Sequence, residues 1–161
     1  MMGIDHKVRD AVEALNLSYI RALDRRDMHG WLLTFDNPGS YVCIPKENED
    51  RGLPIGYMLD DSYARLKDRV TQVTQIQPDA VEHYQPRHFT QLVDIQPLGG
   101  VNYRVETHFT VNYTPDNSGR TEVLASGTYV DEVVVNGGAR FRSRRAVLDT
   151  TVVPRYIAYP I

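Results

Sequence analysis

Five histidines, one cysteine and a cluster of arginines are the residues in this 161-residue chain best suited to chemistry. A mononuclear metal site of the two-histidine, one-carboxylate kind needs ligands converging on one point with coordination positions left open. His6, His29, His83, His88 and His108 form no H-x-H, H-E-x-x-H or H-x-x-x-H pattern. His83 and His88 stand five apart across a proline, which is poor spacing for one face of a strand. A metal centre would therefore have to be assembled from distant segments. Cys43 lies in the apolar stretch YVCI and is the single cysteine, so no disulfide or cysteine-held cluster can form within the chain. A buried core thiol is expected there.

Acid–base chemistry without a metal has its own candidates. Tyr129 and Asp131 are two apart and so share a strand face, with His108 and Tyr103 on the neighbouring strand. A general base must reach its proton, often with a shifted pKa. His108, however, falls on a polar face with Arg104 and Glu106, whereas Tyr103 falls on the apolar one. The two cannot line one pocket unless a bulge intervenes.

The arginines point elsewhere. Arg104, Glu106 and His108 on one strand, with Arg142 and Arg144 on another, would make a flat, half-polar sheet surface, either solvated or a subunit interface. In the last strand Arg145, Val147 and Asp149 alternate with Arg144, Ala146 and Leu148. A charge beside apolar residues on both faces predicts burial with partners. A buried arginine needs a carboxylate, and Asp131 and Asp149 are the nearest candidates. Interface contacts or internal ion pairs are the expected roles of Arg142, Arg144, Arg145, Asp131 and Asp149.

Two periodicities define the elements that must position these groups. Val8, Val12, Leu15 and Tyr19 recur at helical spacing, predicting a helix to about Leu23. Met28, Trp31, Leu32 and Phe35 make a shorter helical stripe in which Trp31 is a core anchor. DNPGS reads as a turn, SYVCIP as a short strand and KENEDRG as a charged loop. Asp60 to Ser62 would cap a third helix carrying Tyr63, Leu66, Val70 and Val73. From Pro86 onward the period is two. Val101, Tyr103, Val105, Thr107, Phe109, Val111 and Tyr113 share one face of a strand, TPDNSG is a turn, and RTEVLASGTYVDEVVV is a long strand whose Gly127 marks a bulge or bend. NGG is a hairpin turn and ARFRSRRAVLDTTVV the last long strand. One α+β domain over residues 1–161 is expected, helical over about 4–75 and sheet over about 86–161, with helices packed on one face of a strongly curved, mostly antiparallel sheet.

Composition narrows the class. Hydrophobic content of 42% with 24% charged residues is that of a soluble globular chain, and a formal charge of −3 argues against nucleic acid. MMGIDHKVRDAVEAL has no apolar core of a signal peptide and nothing approaches a membrane span, so a cytoplasmic protein is expected.

Several local sequences in their order resemble a known family. They are Tyr-Ile-Arg-Ala-Leu-Asp with Trp31 and Phe35 following, ENEDRGLPIGYMLDDSYARLKDRV, PRHF, EVLASGTYVDEV and RFRSRRAVLDTTVVPRYIAYPI. The last two carry an SG-x-Y-x-D strand and an R-x-A-x-x-D strand ending in an apolar tail. The chain resembles the small (β) subunit of bacterial aromatic-ring-hydroxylating dioxygenases, a cone-shaped fold like nuclear transport factor 2. The loop before RGLP and the DTTV ending look most like small subunits serving enzymes of aromatic carboxylates such as terephthalate or salicylate.

The resemblance implies an α3β3 assembly. In it the large subunit holds a Rieske [2Fe–2S] cluster and a mononuclear iron, a reductase delivers electrons from NAD(P)H, and the small subunit trimerises without contributing a ligand or catalytic group. One cysteine cannot supply a Rieske ligand set, so no cofactor is expected in this chain. The rival reading is a stand-alone isomerase, dehydratase or ligand-binding protein of the same fold, since fold alone does not settle function. A pure binding module outside catabolism has no distinct sequence feature. The terminal strand is expected to be a seam, with YIAYPI lying along it.

Overall fold

The computed structural model describes residues 3–76 and 82–161. Helix α1 spans His6–Asp24, its first turn capped by the Asp5 carboxylate accepting from Lys7 N at 3.0 Å. Its inward face is Val12, Leu15, Asn16, Tyr19, Ala22 and Leu23, the predicted stripe with one polar member. Arg26 turns the chain with a left-handed backbone (φ 57°) into α2, Met28–Leu33.

Strand β1 runs over Phe35–Pro45, so DNPGS is a strand segment and not a turn. A register shift between Phe35 and Ser40 absorbs the non-strand residues that suggested one. Phe35 accordingly belongs to the sheet, although it still packs in the core against Trp31. KENED is a one-turn helix, α3 (Lys46–Asp50), rather than a loop. Its Lys46–Asp50 pair is spaced i, i+4, at 2.5 Å.

Strand β2 is Met58–Asp60 and α4 is Tyr63–Thr71, running into a π-helical turn over Gln72–Ile76. Of the predicted caps, Ser62 does the capping, its Oγ accepting from Arg65 N at 3.3 Å. Asp60 instead ends β2 and takes Arg69 in a two-pronged pair at 2.9 and 3.0 Å.

Four long strands follow: β3 Tyr84–Gly99, β4 Asn102–Pro115, β5 Glu122–Val135 and β6 Ala139–Leu148. The sheet order is β2-β1-β6-β5-β4-β3, all antiparallel except β1 beside β6. The sheet is open, with β2 and β3 at its edges, and its inner face wraps α1.

Two irregularities decide which side chains point inward. On β5 Leu124 is an extra residue between Val123 and Ala125, so both Leu124 and Ala125 are buried. On β6 Arg142 is extra between Phe141 and Ser143, so Phe141 and Arg144 both face the core. Gly127 is not at a bulge. A Cβ there would lie 2.0 Å from the Val147 carbonyl oxygen, so glycine is required by the close approach of β6.

Candidate functional site: a buried arginine and the tail that closes the cone

Strict alternation along β6 would place Arg142 and Arg144 on one surface with Arg104, Glu106 and His108. The extra residue at Arg142 overturns that. Arg144 is fully buried on the inner face, while Arg104 and His108 are exposed on the outer one. Asp131 lies opposite Arg144 across the β5–β6 ladder. The guanidinium grips it two-pronged, Nε to Oδ1 at 3.0 Å and Nη2 to Oδ2 at 2.8 Å. Nη2 also donates to Asn16 Oδ1 at 2.6 Å, and Asn16 Nδ2 reaches Thr107 Oγ1 at 3.4 Å. Three aromatic rings surround the cation, Tyr129, Phe141 and Tyr19, with centroids 3.8, 3.9 and 4.3 Å from Cζ.

Such a site is held by its own electrostatics. Burial pushes the Asp131 carboxyl above its ordinary range, and Arg144 pulls the other way. Burial also penalises the Arg144 guanidinium, yet Asp131 keeps it charged, above its ordinary value. The two-pronged geometry is that of a guanidinium on an ionised carboxylate. Burial drives the surrounding phenols upward: Tyr19 to about 12, and Tyr41 and Tyr129 well above the ordinary phenol value.

The remaining expected residues go to different places. Arg145 faces outward and grips Glu49 of α3, at 3.1 and 2.5 Å, with both side chains about a third exposed. Arg142 lies 3.5 Å from Asp36 and reaches Asn102 Oδ1 at 3.4 Å. Asp149 is exposed beyond the end of β6 and pairs with none of these arginines, because the strand ends one residue too early to turn it inward. Of the acid–base candidates, Tyr129 and Asp131 share the inner face, but both Asp131 oxygens are taken by Arg144. Tyr129 stacks on Phe109, centroids 4.1 Å apart. Tyr103 packs inward and His108 stands exposed on the other side of the sheet, so the two do not meet.

The C-terminal segment lies across the cone rather than along β6. Ile157, Ala158 and Ile161 are buried. Tyr41 Oη accepts from Ile161 N at 2.8 Å, and the Ile161 carbonyl oxygen accepts from Tyr19 Oη at 2.6 Å and Tyr41 Oη at 3.2 Å. Arg155 pairs with Glu82.

The sequence reading missed Asn16, Glu49, Thr107 and the buried pair His88–Asp24. For Asn16 a signal existed, a polar residue on the apolar stripe between Val12, Leu15 and Tyr19. Asp24 and His88 are joined only by the fold, His88 falling in phase with the inward Tyr84 and Pro86.

Among the described residues no group of three or more His, Cys, Asp or Glu side chains is placed to hold a metal ion. Cys43 is buried, its thiol pushed by burial up to about 12. The donor set of this chain does not fit an iron or iron–sulfur centre.

The family model for the ring hydroxylating beta subunit matches residues 19–155. The chain belongs to that family. Terephthalate 1,2-dioxygenase, terminal oxygenase component subunit beta 2, of Comamonas sp is 30% identical over 151 residues, covering 93% of this chain and 96% of that one. The anthranilate 1,2-dioxygenase small subunit of Burkholderia cepacia is 30% identical over 158 residues, covering 98% and 96%. Among solved structures, the beta subunit assigned to an aromatic-ring-hydroxylating dioxygenase of Novosphingobium aromaticivorans has a TM-score of 0.78 at 29% identity, covering 89% of this chain and 90% of that one. Membership makes this chain the small subunit of an oxygenase, and its α+β architecture is the one expected. The SG-x-Y-x-D and R-x-A-x-x-D strands are the two that carry Asp131 and Arg144.

Proposed function

We propose that this chain is the non-catalytic support subunit of an aromatic-ring-hydroxylating oxygenase. Three copies associate and carry three large subunits in an α3β3 assembly. Each large subunit holds a Rieske [2Fe–2S] cluster and a mononuclear iron, and electrons pass from the cluster of one to the iron of the next. The observation that carries this reading is the state of Asp131: the inward carboxylate best placed to be a base is consumed by Arg144 at 2.8 and 3.0 Å. Supporting it is the closed mouth of the cone, where the cavity beneath the tail measures about 10 Å³. A substrate pocket is usually some 300 Å³ or more.

The substrate of the whole enzyme is an aromatic carboxylate on this reading, because the relatives at 30% identity are named for terephthalate and anthranilate. The outer sheet face, with Arg104, Glu106, His108, Arg142 and the Arg145–Glu49 pair, is the proposed contact surface, and the assembly works in the cytoplasm. No helix among the described residues is long and apolar enough to cross a membrane.

The test is the mass of this chain alone by size exclusion with light scattering, followed by co-expression with a large subunit. Three copies of the 18.4 kDa chain give about 55 kDa. A monomer or dimer at micromolar concentration would overturn the trimer, and turnover by this chain without a partner would overturn the support role.

A further inference from the structure

We propose that the cleft over His88 is a binding site for a phenolic ring, closed in this structure by the chain's own Tyr159. The inference goes beyond the support role and does not depend on it. His88 is buried, its side chain 2% exposed. Asp24 fixes it from two directions, Oδ1 lying 2.6 Å from Nδ1 and Oδ2 accepting from the backbone N–H at 3.2 Å. A carboxylate accepts only, so the neutral ring carries its proton on Nδ1 and presents a lone pair at Nε2. That Nε2 is buried and has no partner among the described residues. An unpaired buried acceptor costs about 1–3 kcal/mol and asks for a donor.

The nitrogen lines a cavity shared with Arg26, Tyr84, Leu124, Tyr159 and Ile161. At about 10 Å³ it is too small for any organic ligand while the tail is down. The lid shows what fits. Arg26, held in its left-handed backbone and donating from Nη2 to the Tyr84 carbonyl at 2.9 Å, lies between two rings. Its Cζ is 4.5 Å from the Tyr84 centroid and 4.2 Å from that of Tyr159. Tyr84 is part of the sheet, whereas Tyr159 arrives on the tail. A free aromatic ring can take its place on the guanidinium face, and a hydroxyl on that ring supplies the O–H that Nε2 lacks. Binding is non-covalent, and the tail is displaced when the ligand enters.

The probe is p-cresol, the tyrosine side chain as a free molecule, with toluene as the control that lacks the hydroxyl. The full chain labelled with ¹⁵N-histidine is titrated with each, as the natural sequence and as Tyr159→Ala. A tethered lid competes at an effective concentration in the millimolar range, so Tyr159→Ala should bind p-cresol about tenfold more tightly or better. The His88 Nε2 resonance should move with p-cresol and stay with toluene. Equal affinities in the two chains, or an unmoved Nε2 in Tyr159→Ala, would overturn the proposal. Tyr159→Leu, which keeps bulk and removes the ring, serves the same purpose if the alanine variant does not fold. In the natural chain, saturating p-cresol should speed amide exchange at Ile161, whose N–H is held by Tyr41 Oη, and unchanged exchange would count equally against it. None of these readouts depends on the oligomeric mass, so failure here and failure of the trimer are separable.

Discussion

Replacing Asp131 by asparagine keeps the shape of the side chain and removes only its charge, leaving Arg144 as a cation in a site with no solvent contact. Breaking one side of a buried pair costs about 3–5 kcal/mol. Part of that is offset here. The guanidinium keeps Asn16 Oδ1 at 2.6 Å and three ring faces within 4.3 Å, and desolvated cation–π contacts reach about 2 kcal/mol. Asp131→Asn should therefore lose about 3 kcal/mol, the low end of the range. For a chain of this size that is about 6–12 °C in Tm. Urea unfolding measures it as a fall in the midpoint at unchanged slope. The double variant Arg144→Met, Asp131→Leu removes both charges and should recover most of the loss, as buried pairs replaced by apolar residues often do. In intact complexes Asp131→Asn should turn over at the normal rate. Stability within about 1 kcal/mol of the natural chain, combined with lost turnover, would refute the reasoning and make Asp131 a catalytic group.

Three further outcomes follow from other parts of the structure. Gly127→Ala should destabilise severely, because the new methyl meets the Val147 backbone at 2.0 Å and no side-chain rotation relieves it; a soluble variant with an unchanged melting curve would count against the close approach. Alkaline titration followed at 295 nm should show Tyr19, Tyr41 and Tyr129 silent while the exposed tyrosines ionise. Their folded values lie above the ordinary phenol value of 10.0, Tyr19 at about 12, so the stability they contribute is complete below pH 10 and is lost as pH rises through that window. Arg145→Ala breaks a pair about a third exposed and should cost under about 1 kcal/mol in the isolated chain, while weakening the mass of the assembled complex if the outer face is the seam. An assembly indifferent to Arg145 would move the contact elsewhere.

The helix–sheet order and the inward faces of β4 and β5 were legible because their periodicities run without interruption. What alternation could not reveal was the extra residue at Arg142, since a bulge changes no residue type and shifts every later side chain by one. That one event separates Arg142 from Arg144 and removes Arg144 from the outer surface. DNPGS misled for a related reason: turn-forming residues mark a β1 irregularity as readily as a reversal. Asp131 was identifiable as a partner because it lies on the same strand face as Tyr129, whereas Glu49 was hidden because its segment read as a loop. Asp24 and His88 are brought together by α1 docking against β3, a long-range event with no local trace.

The parallel pairing of β1 with β6 has a consequence in time. Ser40 lies beside Ser143, and between them nearly the whole sheet must be made. At about 5–20 residues per second, a ribosome needs some 5–20 s to span that interval. Throughout it, β1 can pair only with β2, and its other edge has no strand to meet. The chain therefore spends its synthesis with a reactive sheet edge, the kind that recruits strands from neighbouring nascent chains. Contacts so distant in sequence also close slowly. Yield in a foreign host should thus respond to translation speed and to chaperones that shield strand edges, more than to the stability of the finished subunit.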